Sequence, residues 1–297
     1  MKCLVTGGNG FIGSHIVDRL VDLGYDVVVI DDLSAPENEE FYYNQKAVYF
    51  EKDISIDDCS EYFLGVDCVF HLAARSRIQP TINSPNRCFE VNTVGTQRVL
   101  EWSKNAKVKK VIYSGTSSLY GHDNTTPFKP NMPANCLNPY SMSKWMGEQI
   151  CRLYKQLYNI ETVVLRYFNV YGPREPIKGH YAPVIGLFKR QLAEGKPLTI
   201  VGDGNQRRDF TYIDDVVEAN IIAMQHVSFP RGIYNVGTGI NYSINDLVEM
   251  IAGKDAEIDR LPNRPAEVRE TLADVDDTVN DLGWTPKHSL IDTIKSY

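Results

Sequence analysis

No run of apolar residues in the sequence approaches the roughly 18–20 needed to cross a bilayer, and residues 1–30 lack a basic stretch followed by an apolar signal core. The expected location is therefore cytoplasmic. Positive charge is also sparse: 31 Lys and Arg against 38 Asp and Glu leave a net charge of -7, and the cations are scattered. That excludes a basic face for nucleic acid or anionic lipid. An anionic substrate would have to be held by local arginines. Cysteine is modest in number, and Cys3, Cys59, Cys68, Cys88, Cys136 and Cys151 contain no CxxC pair. Buried free thiols are expected, rather than disulfides or zinc. His71 lies in an apolar run with no histidine or acid at ligand spacing, so it reads as a core residue, and no metal site is expected.

Length and apolar content are ample. At 297 residues and 43% hydrophobic, the chain can bury a sizeable core, as one large domain or two smaller ones. Lys2–Thr6 reads as a buried strand and runs directly into Gly7-Gly-Asn-Gly10-Phe-Ile-Gly13. A helical pattern through Ile16, Val17, Leu20, Val21 and Leu23 then stops at Gly24. Glycines in that turn allow close backbone approach to a pyrophosphate, and the helix N-terminus offers unpaired N–H groups. A second strand, Asp26–Ile30, ends in Asp31, where a carboxylate can accept from adenosine ribose hydroxyls. The same carboxylate would oppose a 2′-phosphate, and Asp32-Leu-Ser supplies no arginine for one, so NAD is favoured over NADP.

Strands at 48–51, 68–72, 108–114 and 162–167 alternate with helices at 85–104 and 139–158, which predicts a parallel, doubly wound sheet with ligands at the carboxyl ends of the strands. Asp53, Ala73, Ala74, Ser114 and Tyr167 fall at such ends. Asn138 reads as a helix N-cap and Pro139 as the first helical residue, so Tyr140 and Lys144 share one helix face a turn apart. A tyrosine is a poor base at neutral pH unless a cation favours its phenolate, and Lys144 can be that cation. Beyond Pro173 come a helix at 184–193, a strand at 198–201, the turn Gly202-Asp-Gly204, the adjacent arginines Arg207 and Arg208, and a helix at 214–225.

Thr6-Gly-Gly-Asn-Gly-Phe-Ile-Gly-Ser-His15, His71-Leu-Ala-Ala74, Asn92-Thr-Val-Gly-Thr96, Ser114-Gly-Thr-Ser-Ser-Leu-Tyr-Gly121, Asn138-Pro-Tyr-Ser-Met-Ser-Lys144 and Leu165-Arg-Tyr-Phe-Asn169, in this order, resemble the extended short-chain dehydrogenase/reductases. Within them the chain resembles the nucleotide-sugar epimerase/dehydratase branch, and there the UDP-sugar 4-epimerases. The resemblance implies an α/β fold: a Rossmann-type doubly wound parallel sheet (1–172 and about 211–239) with a smaller C-terminal nucleotide-sugar-binding domain (173–210 and 240–297). It makes Tyr140 the base, with Lys144 lowering its pKa and binding the nicotinamide ribose, and Thr116 passing the sugar hydroxyl proton. Contacts to NAD are implied for Gly7, Gly10, Phe11, Ile12, Gly13, Asp31, Asp32, Leu33, Ser34, Asp53, Ile54, Leu72, Ala73, Ala74, Asn92, Ser114, Tyr140, Lys144 and Tyr167. Contacts to the UDP-sugar are implied for Ser76, Thr116, Ser117, Tyr140, Asn169, Thr199, Val201, Arg208, Arg264 and Glu267.

The related dehydratases carry Asp and Glu after the Thr116 position, and the decarboxylases carry Glu at the second of these. Here the residues are Ser117 and Ser118, which leaves redox-neutral 4-epimerisation as the implied reaction. A dehydratase, a decarboxylase, a UDP-glucuronate epimerase and a non-catalytic NAD-binding regulator are the competing readings. The family's Arg-x-Gly-Asp corresponds to Arg264-Pro-Ala-Glu267, and counting on from Arg264 puts Thr271 at the pocket gate, where a small residue admits an N-acetyl group. A homodimer built from the two helices at 85–104 and 139–158 is also implied, with Leu153, Tyr154 and Leu157 as candidates for the shared face.

Overall fold

Near-continuous apolar strands are the mark of a sheet covered on both faces, and the computed structural model, which describes residues 1–35, 40–179 and 181–296, has one. In chain order come β1 (Lys2–Thr6), α1 (Phe11–Asp22), β2 (Asp26–Asp31), β3 (Val48–Glu51), β4 (Cys68–His71), α2 (Ile78–Asn83), α3 (Pro85–Phe89), α4 (Gly95–Asn105) and β5 (Lys110–Thr116). Then follow α5 (Pro139–Tyr158), β6 (Glu161–Tyr167), β7 (Val170–Tyr171), α6 (Val184–Ala193), β8 (Leu198–Val201), β9 (Arg207–Asp209), β10 (Thr211–Tyr212) and α7 (Ile213–Gln225). The last are β11 (Ile233–Val236), β12 (Asn241–Ser243), α8 (Ile244–Ala252), β13 (Ile258–Leu261), α9 (Asp276–Leu282) and α10 (Leu290–Thr293).

The main sheet is parallel, in the order β3-β2-β1-β4-β5-β6-β11. Alternate residues of each strand feed two different cores. Cys3 and Val5, Val27 and Val29, Cys68 and Phe70, and Val163 and Leu165 pack with α1 and α7. Leu4, Val28, Ile30, Val69, Val111, Tyr113 and Val164 face the other way, with α4 and α5. Strand order reverses between β1 and β4, so the crevice of a doubly wound sheet opens at their carboxyl ends.

A third core joins Tyr171, Ile185, Phe188, Leu198, Ile200, Phe210 and Leu247, from β7, α6, β8, the residue between β9 and β10, and α8. The cores do not divide along the chain at residue 240: Leu282 and Trp284 return to pack against α7 and β11 in the core of the main sheet. The helix expected at 85–104 is continuous in direction but contains a π turn at Glu90–Val94 between α3 and α4, with Asn92 inside it. Such turns widen a helix locally to aim a side chain inward. The strand β11, absent from the sequence reading, completes the sheet edge.

Of the three residues expected on an exposed face of α5, Leu153 and Leu157 are exposed. Tyr154 is not: it is buried between α5 and α4, its hydroxyl donating to Glu101 at 2.9 Å and accepting from Gln97 at 3.1 Å. It lies on the core side of the helix.

Candidate active site

At the carboxyl ends of the strands lies a cavity of about 760 Å³ running from Gly7 to Arg264. Its floor is the glycine turn. Gly7 has φ +72° and passes so close to β4 that a Cβ there would lie 2.7 Å from the Ala73 nitrogen, while a Cβ on Gly13 would lie 2.1 Å from the Gly7 carbonyl oxygen. α1 starts after Gly10, which has no side chain to cap it, so nothing competes with an anion for the first-turn N–H groups of the helix. Beside it, Asp31 accepts from the backbone N–H of Asn9 and of Leu33, each at 2.9 Å, so both carboxylate oxygens are oriented. Burial raises its pKa, and those hydrogen bonds oppose the rise.

Gly10, Phe11, Ile12, Asp32, Ser34, Asp53, Ile54, Leu72, Ala73, Ala74, Ser114 and Tyr167 line the same cavity. Two residues expected on the cofactor do not. Leu33, at φ +51°, supplies only its N–H to Asp31. Asn92 is 1% exposed and sits behind the wall, accepting from the Arg75 N–H at 2.7 Å and donating to the Arg75 carbonyl and to Ser143 Oγ at 3.0 and 2.9 Å. Its amide is consumed in bracing the loop after β4 against α5. His71 is likewise internal, between Thr6 Oγ1 at 2.7 Å and Thr96 Oγ1 at 2.9 Å.

Sequence reading missed the cations that line the adenosine-side carboxylates. Arg87 on α3 bonds Asp53 and Ser55 and approaches Asp32 at 4.0 Å, and Arg75 approaches Asp32 at 3.5 Å. Burial raises the pKa of Asp53, but the hydrogen bonds from Ser55 and Arg87 outweigh it and hold the carboxyl below its usual range. Each partner lies more than 30 residues away in sequence, so no local signal marks it.

The reactive end is built on α5. Asn138 and Ser141 cap the helix reciprocally, Ser141 N–H to Asn138 Oδ1 at 2.9 Å and Asn138 N–H to Ser141 Oγ at 3.3 Å. Pro139 follows at the first helical position. This fixes Tyr140 and Lys144 on the cavity side, which Thr116 at the end of β5 also lines. Burial pushes the Tyr140 phenol up, while Thr116 and the charge of Arg77 pull it down. Lys144 was expected in that second role. Its ammonium lies 4.2 Å over the ring of Tyr113 of β5, whose face attracts the charge. Burial lowers its pKa from 10.5 to about 8, against the opposing charge of Glu148.

At the far end, Ser76, Ser117, Asn169, Thr199, Val201, Arg208, Arg264, Glu267 and Thr271 all line the cavity. The neighbouring arginines point to different places. Arg207 turns away to Asn241, at 2.8 and 2.7 Å, while Arg208 faces the cavity and is anchored by one nitrogen to the Arg207 and Arg269 carbonyls at 2.9 and 3.3 Å. Arg264 lies 5.4 Å over the Tyr181 ring and 3.9 Å from Glu267. Ala266, standing where the family pattern has glycine, holds φ +61°, a left-handed conformation that costs a residue with a Cβ about 1–2 kcal/mol. Two long-range hydrogen bonds keep it there: Asn138 Nδ2 to the Ala266 carbonyl at 3.2 Å and Gln79 Nε2 to the Pro265 carbonyl at 3.1 Å. The N-cap of the tyrosine helix thus also fixes the arginine segment. Thr271 forms no strand; it pairs its backbone N–H with the Arg207 carbonyl at 3.0 Å.

Residues 3–237 match the model of the NAD-dependent epimerase/dehydratase family. Solved structures resemble the chain over its whole length. The UDP-glucose 4-epimerase of Thermotoga maritima, solved with UDP-glucose, is 35% identical, covers 99% of this chain and 96% of its own, and superposes with a TM-score of 0.92. The UDP-N-acetylglucosamine 4-epimerase of Methanobrevibacter ruminantium, in complex with UDP-N-acetylmuramic acid, is 32% identical, with 99% and 96% covered and a TM-score of 0.92. The UDP-glucuronic acid 4-epimerase of Bacillus cereus, with UDP-glucuronic acid and NAD, is 34% identical, with 100% and 97% covered and a TM-score of 0.91. With the glycine turn, the oriented carboxylate of Asp31 and Thr116 and Tyr140 lining one cavity, the chain belongs to the NAD-dependent epimerase/dehydratase family.

Proposed function

We propose that the protein is an NAD-dependent UDP-sugar 4-epimerase that works through a transient 4-keto sugar, interconverting UDP-glucose with UDP-galactose and the corresponding N-acetylated pair. The observation that carries this reading is the reactive end of the cavity. Tyr140 and Thr116 stand together there, while the next two cavity residues are Ser117 and Ser118. Neither serine can act as the acid or carbon-acid base that a dehydratase or decarboxylase requires.

The crowding around Gly7 and Gly13 and the uncapped start of α1 fit a dinucleotide pyrophosphate, and Asp31 fits its adenosine ribose. Bound there, NAD would supply a reversible hydride acceptor. Tyr140 takes the proton of the C4 hydroxyl, relayed by Thr116, and later returns it. Thr116 and the charge of Arg77 oppose the rise that burial imposes on the phenol, and Lys144, one turn along the same helix, would add its charge at the nicotinamide ribose once the cofactor is bound. Arg208, Arg264 and Asn169 hold the UDP pyrophosphate while the sugar turns to present its opposite face. Asn169 Oδ1 accepts from Thr271 at 3.4 Å, which leaves its amide N–H groups to donate. The planar forks of the arginines suit phosphate oxygens.

A uronate sugar is the second reading, favoured by Arg77, a cation at Tyr140 that could receive a carboxylate two bonds from C4. A panel of UDP-, dTDP- and GDP-hexoses and UDP-glucuronate, incubated with the purified protein without added NAD(H) and read by proton NMR, tests both. C4 epimers of the UDP-hexoses are expected. Turnover confined to UDP-glucuronate, or formation of deoxy-keto sugars, would overturn the first reading.

A further inference from the structure

Asn138 is buried outside the cavity lining and uses both ends of its side chain. Its Oδ1 accepts from the Ser141 N–H at 2.9 Å and starts α5, the helix of Tyr140 and Lys144. Its Nδ2 donates across 128 residues to the Ala266 carbonyl at 3.2 Å. The preceding carbonyl, that of Pro265, accepts from Gln79 Nε2 on α2 at 3.1 Å. Both donors stand on elements of the main sheet's helical layer that pack together, α2 and the start of α5.

The stretch they hold is the one that carries Arg264. β13 pairs with β8 as far as Leu261, and the backbone meets β9 at Arg269, whose carbonyl accepts the Arg207 N–H at 2.9 Å. Between these points the chain turns so that Arg264 and Glu267 line the cavity. Ala266 makes that turn at φ +61°, a conformation that a Cβ disfavours. The Pro265 and Ala266 carbonyls belong to the two peptide planes that flank the Ala266 Cα, so bonds to both of them fix its φ and ψ. Pro265 has a set φ and restricts the residue before it to extended backbone, which couples Arg264 rigidly to the pinned peptide. Arg208, by contrast, is anchored separately to the Arg207 and Arg269 carbonyls.

We propose that Asn138 is a positioning residue for Arg264: by pinning the Ala266 carbonyl it holds that guanidinium at the nucleotide phosphates, so the side chain that starts the catalytic helix also sets nucleotide affinity. This rests on the assignment of Arg264 to the phosphates. With Arg208 anchored on its own, the loss of Asn138 weakens nucleotide binding without abolishing it.

The test is Asn138→Ser in the NAD-loaded protein, titrated calorimetrically with UDP. Serine caps a helix as well as asparagine does, but it is too short to reach Ala266. Loss of that hydrogen bond predicts a Kd for UDP about fivefold higher. KM for the UDP-sugar should rise in step, with kcat within about twofold of wild type and NAD content unchanged, a split that loosening of α5 itself would not give. Arg264→Ala is measured alone and in combination. Residues that act through one contact are not additive, so Asn138→Ser should add less than about twofold to the loss caused by Arg264→Ala. A wild-type Kd in Asn138→Ser, or a full fivefold effect in the Arg264→Ala background, would overturn the proposal. Should Asn138→Ser fail to fold, Gln79→Met removes the companion bond without touching the cap and enters the same cycle. UDP binding weakened by Arg264→Ala but not by Asn138→Ser would end the positioning role alone. Binding unchanged by Arg264→Ala would remove the phosphate assignment, and the proposal with it.

Discussion

Thr271→Tyr should narrow the substrate range. The Thr271 backbone is pinned on both sides, its N–H to the Arg207 carbonyl at 3.0 Å and its carbonyl to Asn241 Nδ2 at 3.2 Å. A phenol there cannot swing out of the fold and must project past Asn169 into the cavity, where the threonine hydroxyl now ends. On the proposed epimerase reading, a plain hexose would leave that space open, whereas an N-acetyl group at C2 would compete for it. Overpacking of this kind costs about 1–3 kcal/mol, which is about 5- to 160-fold in kcat/KM. The variant also loses the hydroxyl that accepts the buried Asp209 N–H at 3.2 Å. That is worth about 1–3 kcal/mol of stability and a Tm lower by several degrees. Steady-state kcat/KM for the UDP-N-acetylhexosamines and for UDP-glucose and UDP-galactose, measured on the folded variant, should show the first pair losing at least fivefold relative to the second. Equal loss of both pairs, or of neither, would refute the gate.

Tyr140→Phe removes the base without touching the glycine turn or Asp31, so turnover should fall by about 10²–10⁴ while bound NAD is retained; more than a tenth of wild-type turnover would exclude the role. Burial depresses His71 from 6.5 to about 3. A depressed pKa means its contribution is fully present above the unfolded value and lost as pH falls toward 3; from pH 6.5 to 5 the loss is about 2 kcal/mol. His71→Gln should flatten that part of the Tm profile, and an unchanged slope would show that another group carries it. Met142, Met146, Leu153 and Leu157 leave an exposed apolar stripe at helical spacing along α5, so light scattering at micromolar concentration should give twice 33.6 kDa. Leu153→Glu with Leu157→Glu should give the monomer, and a monomeric wild type would end the dimer proposal.

Legibility in the sequence followed the range of the interactions. The turn from Gly7 to Gly13, the carboxylate of Asp31 and the cap Asn138 ahead of Tyr140 depend on neighbours within a few residues, so spacing alone located them. The strand alternation was readable because the central strands are covered on both faces and their buried stretches are largely apolar. What escaped was held by distant partners. Arg87 on Asp53, Gln79 on Pro265 and Asn138 on Ala266 are contacts across 34 to 186 residues. The π turn that turns Asn92 inward has no periodicity of its own to announce it. Tyr154 fits the spacing of either face of α5; the hydroxyl of Tyr154 finds Glu101, and that puts it on the core side. Lys144 was placed on the cavity-facing side of α5, but only the fold revealed that its ammonium lies over the ring of Tyr113.

The central claim is that C4 is oxidised and reduced again within one closed site. UDP-glucose deuterated at C4, incubated with the protein in light water without added NAD(H), measures this directly by NMR. The account predicts UDP-galactose with the deuterium still on C4. Loss of the label to solvent, or a product that has lost a hydroxyl, would contradict it.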